Sequence, residues 1–131
     1  MNRLTETPGN IRAVNQKIYN ILQSLPNSFS ETLRMHMNLR NVSISLLEAD
    51  ADLSKNTIGN LRNNDDLTPD KLTVLKLCLG LHLEYEFSMD LFHKAGYLLN
   101  KTREDLAFDF ILRYYSDYDI ESNLRLLKQI I

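Results

Sequence analysis

The sequence of 131 residues is poor in the residues that several protein classes require. It has a single cysteine and can form no internal disulfide, which excludes a disulfide-stapled secreted domain. Three prolines and four glycines are few for an all-β protein, in which every hairpin needs turn residues. The longest apolar run, residues 72–83, is interrupted by Lys76 and is shorter than the roughly 20 residues of a membrane span. These shortages predict a soluble, all-α protein that does not enter a membrane.

The charge of the chain is nearly balanced. Lys and Arg number 15 and Asp and Glu number 17, whereas nucleic-acid-binding domains more often have a basic excess. The distribution is uneven, because residues 1–41 carry five basic and two acidic side chains and residues 42–70 carry two and six. Residues 1–10 lack the apolar core of a signal peptide, so we expect a cytoplasmic protein.

Apolar residues recur every three or four positions along most of the chain, which predicts helices. Residues 10–25 form the first such pattern, and Pro26 ends it. Ser28 and Glu31 have the spacing of a capping box at the start of the next helix. Thr68 is expected to be the N-cap of a buried helix. The predicted division is an N-terminal tail and arm helix at 1–27, a helical bundle at 28–99 and a C-terminal helical extension packed on the bundle at 100–131.

Residues 43–63 have the layout of a helix-turn-helix. A short helix that contains Leu47 is followed by a three-residue break and by a second short helix, which Ser54 is expected to cap. Ile58 and Leu61 have the spacing of an inner face on the second helix. The residues left for its outer face are Lys55, Asn56, Gly59, Asn60 and Arg62.

These segments resemble the XRE family of phage-repressor-like, Cro-type helix-turn-helix domains. The resembling residues are 42–47, 53–62 and 67–69, and the resemblance extends from about residue 29 to residue 99. The continuation through residues 94–97 is similar to a subgroup with a helical C-terminal extension. The resemblance implies an all-α fold with a lambda-repressor-like five-helix bundle, to which this chain adds an N-terminal helix and two C-terminal helices.

The same resemblance implies a non-catalytic, sequence-specific DNA-binding transcriptional regulator, or the DNA-binding module of a larger one. Its second helix, residues 54–63, would enter the major groove of double-stranded DNA. A homodimer would place two copies of this helix in successive grooves, and no cofactor or metal is implied. The implied DNA-contacting residues are Ser54, Lys55, Asn56, Thr57, Asn60, Arg62 and Asn63 of the second helix, with Arg34 and Arg40 adding contacts to the DNA backbone.

A second interpretation is a protein-protein interaction module that has kept the helices and lost DNA binding. Glu48 stands where the two helices of the motif approach each other, and Asp52 stands in place of a turn glycine. The acidic excess of residues 42–70 would also repel a polyanion. Neither interpretation involves catalysis, because the sequence lacks a Gly-x-Ser-x-Gly elbow, a phosphate-binding glycine loop and a His-Glu-x-x-His pair.

Two groups of residues outside the motif have a structural interpretation and a functional one. Cys78 and His82 are one helical turn apart, but their apolar surroundings favour a buried thiol and a boundary imidazole over a metal site with His93. Aromatic residues crowd the C-terminal helices, where they either pack on the bundle or leave a surface for a second copy or a protein partner. Dimerisation is expected through residues 11–25 or 106–131. The aromatic residues are Phe108, Phe110, Tyr114, Tyr115 and Tyr118.

Overall fold

The computed structural model describes residues 8–131, with side chains from Asn10 onward, and every regular element in this range is an α-helix. The predicted all-α class is therefore confirmed for the described residues, while residues 1–7 of the predicted N-terminal tail lie outside them. The helices are α1 (Pro8–Ser24), α2 (Phe29–Leu39), α3 (Ile44–Ala51), α4 (Lys55–Asn63), α5 (Lys71–Gly80), α6 (Tyr85–Lys94), α7 (Arg103–Tyr114) and α8 (Ile120–Ile130).

Short polar side chains begin several of these helices, as their capping chemistry predicts. The Ser28 hydroxyl accepts a hydrogen bond from the backbone N–H of Glu31 at 3.1 Å. Thr102 and Asp119 cap α7 and α8 in the same way. Each of these side chains satisfies a backbone N–H that has no partner within its own helix.

The predicted N-cap of α5 is wrong by two residues. The Asp70 carboxylate, rather than the Thr68 hydroxyl, caps the helix by accepting a hydrogen bond from the backbone N–H of Thr73 at 2.8 Å. This bond lowers the pKa of Asp70 below its usual value. Asp is at least as good an N-cap as Thr, so either Thr68 or Asp70 could begin the helix. The structure uses Asp70.

Helix α5 is the centre of the core, as its apolar residues on several sides predict. It packs against α3, α6, α7 and α8, and six of its ten residues are buried. Every helix contributes at least one buried apolar side chain to one continuous cluster, including Ile18 from α1 and Leu127 from α8. The terminal helices are therefore packed on α2–α6, the five helices that fall within residues 28–99.

No helix in the described part of the chain combines the length and the apolar character that a membrane span needs.

Candidate nucleic-acid interface

Helices α3 and α4 are joined by a three-residue turn that begins at Asp52. This residue adopts the left-handed conformation, with φ 55° and ψ 49°, and its backbone N–H donates to the Glu48 carbonyl. Asp tolerates this conformation better than most non-glycine residues, so the turn forms without the glycine usual in the motif. The Asp52 carboxylate lies 3.4 Å from the Lys76 ammonium, which offsets its charge. The substitution in the turn is thus compatible with a helix-turn-helix.

Helix α3 is held against the centre of the molecule by a very close approach to α5. A Cβ added at Gly80 would lie 2.7 Å from the Cβ of Ala51 and 2.9 Å from its Cα. Only a glycine leaves room for the α3 backbone at this distance. Sequence reasoning missed this role of Gly80, although a lone glycine inside an apolar helical run is a sign of close packing.

Helix α4 has one buried and one exposed side. Ile58 and Leu61 are buried against the rest of the fold, and α4 packs on α2 and α3. Ser54 caps the helix, because its hydroxyl accepts from the Thr57 N–H at 3.1 Å and lies 2.8 Å from the Thr57 hydroxyl. The helix contains two basic residues and no acidic residue. The exposed predicted site residues are Ser54, Lys55, Asn56, Asn60 and Asn63, and the half-buried ones are Thr57 and Arg62.

Arg34 reaches α4 from the neighbouring helix α2. Its guanidinium donates a hydrogen bond to the backbone carbonyl of Arg62 at 2.6 Å. A cation is favourable at this position, because the last carbonyls of a helix lack partners and carry the negative end of its dipole. Arg34 therefore lies at the predicted site, where its guanidinium binds the C-terminal turn of α4.

The loop after α4 is also bound to α2. The Ser30 hydroxyl donates a hydrogen bond to the Asp65 carboxylate. Hydrogen bonds from Ser30 and Ser28 hold the pKa of Asp65 below its usual value, so this carboxylate stays ionised. Sequence reasoning treated Asp65 only as a charge that would repel DNA, whereas the structure gives it a definite partner.

Arg40 does not join the other predicted site residues. Its guanidinium donates to the Leu81 carbonyl at 3.1 Å and lies 2.8 Å from the Glu84 carboxylate. It also lies over the Phe87 ring, 5.8 Å from the ring centroid. Arg40 therefore links the end of α2 to the junction between α5 and α6.

The acidic residues near α4 differ in how they are accommodated. Glu48 is half-buried and forms no ion pair with Lys55 or Arg62 among the described residues, so its carboxylate reaches solvent. Asp50 and Asp66 have exposed side chains. These uncompensated charges lie on α3 and in the loop after α4, outside the helix that carries the predicted base contacts.

The residues considered for a metal site occupy different environments. Cys78 is fully buried, and burial raises the pKa of its thiol to about 12. The His82 imidazole is exposed, and its Nδ1 lies 2.8 Å from the Ser116 carbonyl. Across the residues that the structure describes, no group of three or more His, Cys, Asp or Glu is placed to hold a metal ion.

The described residues thus form an all-α protein in which a three-residue turn joins α3 to α4. Comparison with protein-family models, curated protein sequences and solved structures gives no match for this chain.

Proposed function

We propose that this chain is a DNA-binding transcriptional regulator of the XRE type, in which α4 enters the major groove. The observation that carries the proposal is the polar outer side of α4, which presents the exposed Lys55 and the half-buried Arg62 and contains no carboxylate. The opposite side of the same helix is buried, so this surface is held in a fixed orientation. In this proposal α2–α6 form the lambda-repressor-like bundle, and the protein acts in the cytoplasm as a homodimer.

The side chains of α4 suit distinct parts of a DNA duplex. Asn56 and Asn60 can each bond an adenine edge through two hydrogen bonds, and Lys55 can reach the acceptors of guanine. The N-terminal N–H groups of α4, next to Ser54, favour a phosphate. Thr57, Arg62 and Asn63 complete the contact surface, and Arg34, whose Nη1 fixes the end of α4, adds a contact to the DNA backbone.

The test is fluorescence anisotropy of a labelled random-sequence duplex, titrated with the full chain at low and at near-physiological salt. We expect binding that weakens steeply with salt, because each phosphate contact releases counterions. Lys55→Glu should lower the affinity by about tenfold or more and reduce the salt slope by about 1. Lys128→Glu makes the same charge change at an exposed position of α8 and is the matched control.

Two outcomes would contradict the proposal. Equal losses in Lys55→Glu and Lys128→Glu would show that α4 has no special part in binding. An absence of binding at low salt would show that the cationic side of α4 does not bind DNA. Circular dichroism of each variant establishes that its helices are intact.

A protein-interaction module is the second candidate, and a specific observation favours it. Leu46 on α3 is 50% exposed, and Asp50 on the same helix is exposed as well. A surface that combines an exposed apolar residue with unpaired carboxylates is better suited to a protein than to a polyanion. If duplex binding is absent at low salt, this α3 surface becomes the preferred site for a protein partner.

A further inference from the structure

Helix α7 exposes an apolar stripe along its outer side. Leu106, Phe110 and Tyr114 follow one another at intervals of four residues and are 54%, 42% and 63% exposed. The other side of α7 is buried in the core through Phe108 and Ile111. Packing of the C-terminal extension on the bundle therefore leaves part of its aromatic surface uncovered, which is the composition of an interface core.

One end of the stripe borders a shallow groove, and the other end carries an exposed aromatic ring. A groove of about 420 Å³ lies at the N-terminal end of α7 and is lined by Lys101, Arg103, Leu106, Ala107, Phe110 and Ile130. At the other end, the Tyr114 ring stands exposed beside Phe110, with 5.2 Å between the ring centroids. A projecting ring and a groove of apolar lining thus occupy opposite ends of one surface.

Exposed charged side chains lie near both ends of the stripe, and Arg113, which lies beside Tyr114, is paired with Asp109. Lys101 and Arg103 lie at the groove end, together with Glu104, whereas Asp117 lies just beyond the Tyr114 end. Arg103 is the first residue of α7, and Asp117 lies in the turn that follows its last residue, Tyr114. Neither Arg103 nor Asp117 has an ion-pair partner within the part of the chain that the structure describes.

We propose that the exposed stripe of α7 is the contact surface of a two-fold symmetric dimer of this chain, with the two α7 helices antiparallel and Phe110 near the axis. In this register Tyr114 enters the groove of the second copy, and Arg103 faces Asp117 of the partner subunit. Antiparallel helices also bring opposite ends of their dipoles together. The inference rests on the dimeric part of the proposed function and does not require DNA binding.

A second copy is the occupant because the surface complements itself. In an isologous interface the same surface of both subunits meets across a two-fold axis. A feature on one side of the axis therefore contacts the feature that lies at the same distance on the other side. The groove at Leu106 and the exposed Tyr114 ring satisfy this condition, because Leu106 and Tyr114 lie four residues to either side of Phe110 on α7. A partner of another kind would have no reason to require this symmetry within one chain.

The test is sedimentation equilibrium of the full chain without DNA, up to high micromolar concentration. We expect the wild type to dimerise, and Arg103→Asp and Asp117→Arg each to weaken the dimer by about tenfold, because each creates like-charge pairs. The combined variant should regain most of the lost affinity, since it restores both pairs with reversed sign. Phe110→Glu should be monomeric, and Leu39→Glu, at a residue of α2 that is 59% exposed, should dimerise as the wild type does.

Three results would overturn the inference: a monomeric wild type, a folded Phe110→Glu variant that still dimerises, or an absence of rescue in the combined variant. If Phe110→Glu does not fold, Arg103→Asp, Asp117→Arg and the combined variant still test the inference, because both residues are exposed. Lys55→Glu separates the two proposals. It should dimerise normally whether or not α4 binds DNA, so a failure of duplex binding leaves the dimer result intact.

Discussion

Gly80 shows how a single residue fixes the position of the candidate interface. The α3 backbone at Ala51 occupies the space that any larger side chain on α5 would need. Gly59, on α4, is the opposite case, because a Cβ there would meet no atom within 4 Å. The two glycines therefore differ in their surroundings although both lie inside helices.

The same substitution at these two glycines should have opposite effects on stability. Gly80→Ala should lower the free energy of unfolding by about 1–3 kcal/mol, because α3 and α5 must separate to admit the methyl group. Gly59→Ala should raise it by about 0.5–1 kcal/mol, because alanine loses less conformational entropy in a helix. Urea unfolding followed by circular dichroism measures both. A Gly80→Ala variant at least as stable as the wild type would contradict the close approach of α3 and α5.

Backbone conformations at single residues were only partly predictable from the sequence. Gly96, with φ 92°, follows the amphipathic helix α6, where a left-handed glycine is common. Asp52, which stands in place of a turn glycine, is also left-handed, with φ 55°. Asn41 and His82 are also left-handed, with φ 55° and 51°, and no local pattern distinguished them. Their conformations follow from the way each helix must turn into the next, which depends on the whole fold.

At the scale of elements, a buried ion pair joins the start of α5 to the start of α7. The Asp105 carboxylate is almost fully buried, lies 3.0 Å from the Lys71 ammonium and accepts a hydrogen bond from the backbone N–H of Asn100 at 3.0 Å. Burial raises the pKa of Asp105, but the bonds from Asn100 and Lys71 outweigh it and leave the pKa below its usual value. This pair fastens the C-terminal extension to the central helix.

Replacement of Asp105 by Asn should destabilise the fold by about 3 kcal/mol, because it leaves the Lys71 charge partly buried without a counter-charge. Glu121→Gln is the control, since Glu121 pairs with Arg125 where both side chains are largely exposed. That change should cost about 0.5 kcal/mol or less. Chemical unfolding of both variants gives the comparison. Similar losses would mean that the Lys71–Asp105 pair contributes no more than a surface pair.

Helix boundaries were well predicted, but contacts between helices were not. Ser28, Thr102 and Asp119 cap the helices that their sequences indicate, because capping depends on residues only three positions apart. Arg34 and Arg40 were predicted to touch DNA, and no local pattern indicated that their guanidinium groups bind protein groups far along the chain. The direction in which an arginine side chain turns is decided by acceptors that local sequence does not reveal.

At the scale of the whole molecule, His36 makes the fold sensitive to acid. The side chain is fully buried on α2, its ring centroid lies 5.3 Å from that of Phe87, and neither ring nitrogen has a hydrogen-bond partner among the described residues. Burial lowers the pKa of His36 to about 4, and the charges of Arg40 and Lys94 lower it as well. The folded state thus retains the neutral imidazole.

The free energy of unfolding should fall as the pH drops from about 6.5 to about 4. In this window the unfolded chain binds a proton at His36 and the folded chain does not, so acid favours unfolding by up to about 3 kcal/mol. Above pH 6.5 the contribution is fully present. Urea midpoints across the window measure it, and His36→Leu should remove most of the slope. An unchanged slope in His36→Leu would show that another group is responsible.

The whole-molecule features that the sequence predicted are those set by periodicity. The all-helical class, the position of the α3–α4 segment and the buried centre at α5 all follow from apolar residues repeated every three or four positions. This repeat does not show which aromatic residues of a terminal helix are buried and which are exposed. Phe108 and Phe110 are both aromatic residues of α7, but one is buried and the other exposed, because only one of them faces α5 and α6.

The bonds from α2 to the end of α4 have a mechanical consequence. Arg34 holds the last turn of α4, Ser30 holds the loop that follows, and Arg40 fastens the opposite end of α2 to the junction between α5 and α6. Helix α2 thus connects α4 to α6, and α6 in turn packs against α7. A rotation of α4 would either break these bonds or move α2 with it, so the orientation of the α4 surface is coupled to the packing of α2 on α6.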